Sequence, residues 1–280
     1  MRIFVAGASG VVGRLLVPLL VAQGHEVTAL SRRERAVGSD ARTVVADVYD
    51  APALRTVVAA ARPEVVIHQL TDLTSRDFAA NTRIRREGTR NLVDAALATG
   101  ARRVISQSIA WAYEPGDTPA VESTPFDLSA ADGGRRASVE AVAELESITA
   151  EAPEWVALRY GMLYGPNTWY TKGGLMADLA ATGNLPTGPD ITSFLHVEDA
   201  AHAAAAALHW PSGPVNIVDN APAPATTWLP TFTESIGAPA PSPTPAASRT
   251  PWARGASNTH ARTNLGWTPI HPTWRTGFLN

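Results

Sequence analysis

The stretch RIFVAGASGVVGRLLVPLLVAQG, residues 2–24, limits what this chain can fold into more than any other. It opens with a short β-branched and aromatic run and passes through glycines at 7, 10 and 13. It then continues in an apolar helical pattern that stops at Gly24. Each glycine has its own use in a strand-to-helix turn. Gly7 permits the tight turn, Gly10 lets the backbone approach a pyrophosphate, and Gly13 lets the helix pack closely on the sheet. The amides of Ser9, Gly10, Val11, Val12 and Gly13 then lie at the positive end of a helix, where phosphate is favoured. With a strand before it and a helix after it, the turn predicts a dinucleotide site.

The alternation continues along the chain. HEVTAL, RTVVAD and PEVVIHQL read as strands, with an Ala-rich helix at 51–61 before the last of them. A long helix is expected through TRIRREGTRNLVDAALATG, followed by strand RRVISQS, a helix at 135–148 and strand EWVALRY. Strands alternating with helices imply right-handed crossovers and a buried parallel sheet. The expected class is α/β, with a Rossmann-like doubly wound parallel sheet over residues 1–161. Residues 162–280 read as mostly a smaller C-terminal substrate lobe, with some segments returning to the main domain. The Pro- and Gly-rich segment from about 114 to 134 follows the fifth strand, at the sheet edge where ligands bind; loops of this length are usually functional or disordered. PAPATTWLPTFTESIGAPAPSPTPAASRTPW reads as too rich in proline for central strands or long helices.

Composition narrows the function. There is no cysteine, so a disulfide framework, a thiolate nucleophile and a Cys-ligated metal are excluded, and no metal site is expected. A net charge of −3 gives no electrostatic reason for nucleic acid or acidic membrane as partner. No apolar run is long enough to span a bilayer, and the N-terminus enters a strand without a signal pattern. The expectation is a soluble cytoplasmic protein, monomer or homodimer, acting on a small molecule.

The second strand ends TALSRRER. An NAD-preferring site carries an acidic residue here for the ribose hydroxyls, whereas this chain has Ser31, Arg32 and Arg33. A hydroxyl beside guanidinium groups matches a 2′-phosphate, so NADP(H) is expected over NAD(H).

Further motifs carry a family resemblance. GASGVVG, ADV at 46–48, EGTRNLVDAA at 87–96, VISQS at 104–108, LRYGMLYGP at 158–166, FLHVEDAA at 194–201 and ASNTHARTNLGW at 256–267 occur in family order. The chain resembles the extended or atypical short-chain dehydrogenase/reductases, the group of nucleotide-sugar epimerases, dehydratases and related reductases. The resemblance implies that Asp47 and Val48 contact adenine and that Gln69 and Leu70 pass near the ribose and pyrophosphate. It also implies that Tyr160 and Leu163 lie beside the nicotinamide and that Ser108 hydrogen-bonds the reacting group. His196 and Asp199 match a stretch read as anchoring the C-terminal lobe.

One family feature is missing. In the family, a Tyr four residues before a Lys protonates the reacting oxygen. This chain has one lysine, Lys172, with Thr168 four residues before it. Its five tyrosines, at 49, 113, 160, 164 and 170, all lie outside the 135–148 helix, which reads as an amphipathic helix with nothing reactive on it. A positioned general acid contributes roughly 10²–10⁴-fold, so reduction of an easily reduced substrate survives its loss better than alcohol oxidation does. Tyr113, Tyr164, Tyr170 and Lys172 are the alternative donors; Tyr113 and Tyr164 are taken forward with Ser108 as candidate catalytic residues. Trp111, Met162 and Trp169 are read as apolar substrate lining. The leading expectation is an NADPH-dependent reductase of a small, largely apolar carbonyl, enone, quinone or imine. A non-catalytic NADP(H)-binding regulator, a repurposed non-redox cyclase or isomerase, and a nucleotide-sugar epimerase remain open beside it.

Overall fold

The computed structural model describes residues 1–33, 40–72, 78–185, 187–241 and 248–279. In chain order the elements are β1 (Arg2–Ala6), α1 (Gly13–Ala22), β2 (Glu26–Ser31), β3 (Arg42–Val45), α2 (Ala51–Ala61), β4 (Val65–His68) and α3 (Phe78–Arg83). A π-helical turn (Ile84–Gly88) leads into α4 (Thr89–Ala98), β5 (Arg103–Ile109), α5 (Gly133–Thr149), β6 (Glu154–Tyr160) and β7 (Met162–Tyr164). Then come α6 (Leu175–Ala181), β8 (Ile191–Thr192), β9 (Phe194–His196), α7 (Val197–Ala206), β10 (Gly213–Ile217) and β11 (Ala223–Pro224). Helices α8 (Ala225–Ile236), α9 (Thr259–Thr263) and α10 (Trp274–Gly277) complete the order.

Seven strands form one sheet in the order β10-β6-β5-β4-β1-β2-β3. The pairs β1–β2, β1–β4, β2–β3 and β4–β5 are parallel, with Ala6 opposite both Leu30 and His68, and His68 opposite Ser106. Strand order therefore reverses between β1 and β4, the crevice where doubly wound sheets bind ligands. The strands read as near-continuous apolar runs because both faces are covered: β1 is buried from Ile3 to Ala6, and β4 throughout. One core cluster packs Phe4, Leu30, Val66 and Val104 against Leu54, Val58, Leu92 and Val93.

The chain divides into two compact units. The first comprises Met1–Ser108, Leu128–Leu158 and Ala201–Pro214; the second comprises Ile109–Asp127, Arg159–Ala200 and Val215–Asn280. Most of the 114–134 segment thus belongs to the second unit. There Arg249 donates to the Gly116 carbonyl at 2.7 Å, and Asn216 donates to the Ala120 carbonyl at 3.2 Å.

Two local expectations differ from what the chain does. The stretch 225–236, read as too Pro-rich for a long helix, forms the twelve-residue α8. Pro224 sits at its N-cap, where no amide is needed, and the cost of Pro230 is offset by burial of Trp228, Leu229 and Phe232. The single helix expected from residue 82 onward is interrupted by the π-helical turn at 84–88. Just after it, the Thr89 hydroxyl donates back to the Ile84 carbonyl at 3.4 Å, and Gly88 lets the turn approach the Val48 side chain.

Candidate cofactor and substrate site

The carboxyl ends of β1, β2, β3, β4 and β5 bring most of the sequence candidates together within the first unit. The glycine turn is drawn tight by Gly10 N–H donating to the Gly7 carbonyl at 3.0 Å. Gly7 has φ +89°, and a Cβ there would stand 2.6 Å from the Gln69 backbone carbonyl, so the turn lies directly on the segment leaving β4. A Cβ on Gly13 would meet the Gly7 oxygen at 2.2 Å. On Gly10 the nearest atom would be 3.2 Å away, so this position is open by comparison. Helix α1 starts with no side-chain cap and no acidic residue in its first turn. An uncapped positive helix end behind a turn with no room for side chains is the arrangement a pyrophosphate fits.

Beside it, Ser31 ends β2 and is buried, with Arg32 and Arg33 exposed after it; the Arg33 amide lies 3.4 Å from the Ser31 hydroxyl. Asp47 follows β3 and accepts the Tyr49 amide at 2.9 Å, while the Val48 carbonyl receives the Asn91 side chain at 3.0 Å. This pins the loop assigned to adenine.

Gln69 and Leu70 are set by His68, which is fully buried at the end of β4. The Leu70 amide donates to its Nδ1 at 3.2 Å, and its Nε2 faces the Thr89 hydroxyl at 2.9 Å. Since Nδ1 accepts, the proton belongs on Nε2, and Thr89 passes its own proton to Ile84. Burial holds this imidazole neutral, with its pKa lowered to about 4. The folded value lies below the unfolded one, so the stability contribution is complete above about pH 6.5 and is lost as pH falls towards 4. His196, also lowered to about 4, acts in the same direction; Asp219, raised by burial to about 7, acts oppositely. Urea unfolding of His68→Gln should lose about 2 kcal/mol less stability than wild type between pH 6.5 and 4.5. Identical pH dependence in the two proteins would contradict this.

Ser108 lies at the carboxyl end of β5 and is 2% exposed. Its hydroxyl donates to Glu146 Oε1 of α5 at 2.6 Å. Two residues back along β5 and three further along α5, the hydroxyls of Ser106 and Thr149 meet at 2.8 Å, Thr149 giving its own proton to the Leu145 carbonyl at 2.7 Å. Two polar pairs therefore key α5 to β5. Glu146 was missed in the sequence, where this helix reads as bearing nothing reactive. The signal was present: buried Val139 and Val142 place position 146 on the inward face of the helix, and the carboxylate is 7% exposed.

The remaining candidates belong to the second unit. The Tyr113 hydroxyl donates to Asn216 and accepts from Arg159 at 3.0 Å, and Phe126 stacks on its ring. Tyr164 is enclosed by Phe194, His196 and Phe278, and burial pushes its hydroxyl far above the ordinary tyrosine range. Tyr170 is raised in the same way. Tyr160 donates to the Ala200 carbonyl at 3.2 Å. Leu163 pairs with Leu195 between β7 and β9, and Met162 and Trp169 pack on the aromatic cluster around Phe194. Trp111 is half-buried, and Lys172 is exposed.

His196, Glu198 and His271 also meet in this unit, their ligand-type atoms all within 4.8 Å of one another. The imidazoles stack with centroids 3.7 Å apart, His271 Nε2 contacts Glu198 at 2.8 Å, and His196 Nδ1 accepts the Glu198 amide at 3.3 Å. Asp199 accepts the amides of Ile270 and His271, tying the C-terminal segment to the start of α7.

Comparison with known proteins places this geometry in context. The model of the NAD dependent epimerase/dehydratase family matches residues 3–218. A 3-diazoavenalumate denitrifying reductase from a Streptomyces species is 46% identical, with 99% of each chain covered. Among solved structures, UDP-glucose 4-epimerase from Thermotoga maritima with UDP-glucose has a TM-score of 0.79 at 19% identity, covering 100% of this chain and 96% of that one. UDP-glucose 4-epimerase from Thermus thermophilus, in complex with NAD, has a TM-score of 0.78 at 22% identity, covering 100% and 97%. At such identities the two epimerases speak to the fold.

Proposed function

The chain belongs to the NAD-dependent epimerase/dehydratase family, and within that family we propose that it is an NADPH-dependent reductase that replaces a diazo group on an aromatic substrate with hydrogen. The observation that carries this reading is the make-up of α5. It holds neither tyrosine nor lysine, and it meets Ser108 with a carboxylate instead. Carbonyl reduction needs a proton at the new alkoxide, and α5 provides no such donor. Tyr113 and Tyr164, the sequence candidates for that role, are committed to a hydrogen-bond network and to an aromatic core.

An arenediazonium has no such requirement. Gaining a hydride at the carbon that bears nitrogen, it loses dinitrogen as the C–N bond breaks; two electrons are accepted, and no proton is taken up. Reduced nicotinamide, when bound, supplies that hydride. The relative whose name joins a diazo substrate, denitrification and reduction supports this choice. Nucleotide-sugar epimerisation begins with oxidation of an alcohol, for which the family's tyrosine–lysine pair is missing from α5.

For the cofactor, Gly7, Gly10 and Gly13 with the open end of α1 would hold the pyrophosphate, Asp47 and Val48 the adenine, and Ser31 with Arg32 and Arg33 a 2′-phosphate. Gln69 and Leu70 would flank the ribose. Trp111, Met162 and Trp169 are proposed for the aromatic substrate. Purified enzyme should oxidise NADPH on addition of benzenediazonium, above the uncatalysed rate, and should prefer NADPH to NADH. Arg32→Asp should reduce that preference by about tenfold or more. Turnover confined to nucleotide sugars would contradict the reading, and an unchanged preference would contradict the 2′-phosphate assignment.

A further inference from the structure

The helical run from α3 through α4 carries four arginines, and three of them have carboxylate partners. Arg83 pairs with Glu87, Arg86 lies against Glu140 and Glu144, and Arg90 contacts Asp94 and Glu151. Arg85 is the exception. It is half-buried in the π-helical turn, and among the described residues it has no hydrogen-bond or ion-pair partner. Burial alone lowers its pKa, to about 10, so the guanidinium is still charged at neutral pH. A charge held out of water without a partner is costly, and such a group marks a place where a ligand supplies the counter-charge.

The position of Arg85 narrows the ligand. Asn81, Arg85 and Thr89 are spaced by four and share one face of the run. Asn81 is buried and accepts the Asp72 amide at 3.2 Å, and Thr89, fully buried, meets His68 at 2.9 Å. Both neighbours therefore touch the chain at, or just beyond, the end of β4. Arg85, between them, faces the carboxyl edge of the sheet on the β4 side of the crevice where strand order reverses. The pyrophosphate is assigned to the turn after β1, which leaves this side for the nicotinamide end and its acceptor.

We propose that Arg85 is a substrate-binding residue that pairs with a carboxylate on the aromatic substrate. The inference rests on the reductive-denitrification reading and adds the anionic group that the site recognises. A guanidinium presents a planar fork that matches two carboxylate oxygens. An arenediazonium is positive at nitrogen, so the same guanidinium repels that end of the molecule and draws the carboxylate. The two forces act together to turn the carbon that bears nitrogen away from Arg85.

Binding tests this without any turnover. Protein saturated with NADP⁺ would be titrated calorimetrically with benzoate and cinnamate, and with benzamide and cinnamamide as neutral counterparts. Wild type should bind at least one carboxylate roughly tenfold or more tighter than its amide. Arg85→Gln should erase that difference, and Arg85→Lys should keep part of it. The melting temperature of Arg85→Gln should equal or exceed that of wild type, because an unmatched charge has been removed; a structural arginine would lower it. No carboxylate preference in wild type, or the same preference in Arg85→Gln, would overturn the proposal. So would a loss confined to NADP⁺ affinity, which would give the guanidinium to a cofactor phosphate. Turnover then reports on the underlying reading. The ratio of kcat/KM for 4-carboxybenzenediazonium to that for benzenediazonium should be roughly ten or more in wild type and near one in Arg85→Gln. Carboxylate binding through Arg85 with no diazonium turnover would strike the reductive-denitrification reading alone.

Discussion

Gly13→Ala is expected to abolish measurable cofactor binding and to destabilise the fold by about 3 kcal/mol. The added Cβ would stand 2.2 Å from the Gly7 carbonyl oxygen and 2.7 Å from Ala8 Cα, all backbone atoms that cannot swing aside. Relief requires moving the whole turn, which itself lies on the Gln69 carbonyl. The collision therefore spreads from α1 to the end of β4. Gly10→Ala separates the two effects. Its nearest neighbour, the Gly7 oxygen, would be 3.2 Å away, a tight contact but not a collision, so the melting temperature should fall far less than in Gly13→Ala. Affinity for NADPH should still fall by about 100-fold, because the methyl occupies the space where the backbone meets phosphate. Thermal unfolding with a fluorescence titration of both variants checks this. A Gly10→Ala protein that binds NADPH as wild type does would remove the pyrophosphate from this turn.

The second large effect is expected at Arg103, far from any chemistry. Its side chain is nearly buried at the start of β5. It donates twice to Glu154, at 2.6 and 3.0 Å, and through Nη1 to the carbonyls of Ala207 and Trp210, at 3.0 and 2.7 Å. One guanidinium thus ties β5 to the start of β6 and to the chain after α7. Arg103→Ala would leave a half-buried carboxylate and two carbonyls without their donor. Breaking such a network costs about 3 kcal/mol, the Glu154 share being reduced by its partial exposure. The melting temperature should fall by roughly 6–10 °C. Arg103→Lys should recover only part of this, since an ammonium cannot reproduce the planar fork. Protein that remains folded should keep its kcat. An unchanged melting temperature would show that the network contributes nothing.

The sequence made some of this legible for physical reasons. The apolar runs of β1, β2, β4 and β5 and the glycines at 7, 10 and 13 leave few alternatives to a strand-turn-helix on a parallel sheet. The family resemblance rests on motifs in order, and the missing dyad could be read by locating one lysine and five tyrosines. The π-helical turn at 84–88 was not legible, because its Thr89–Ile84 bond leaves no periodic trace. His68 read only as the end of a strand, since its role comes from Leu70 and Thr89 meeting it in space. Glu146 was overlooked because a glutamate among Glu140 and Glu144 looks like part of a solvated face. Those two do face outward to Arg86, whereas Glu146 turns to Ser108. The proposed diazo substrate could not be read from the sequence, where the absent proton donor led only to an easily reduced carbonyl, enone, quinone or imine.

The most direct test of the central claim follows the transferred hydrogen. Wild-type enzyme, benzenediazonium and NADPH deuterated at the nicotinamide C4 position would be combined, and the aromatic product examined by mass spectrometry. The account predicts benzene carrying one deuterium, with dinitrogen released and one NADP⁺ formed for each product. Unlabelled benzene, or phenol formed by water with no NADPH consumed, would contradict it.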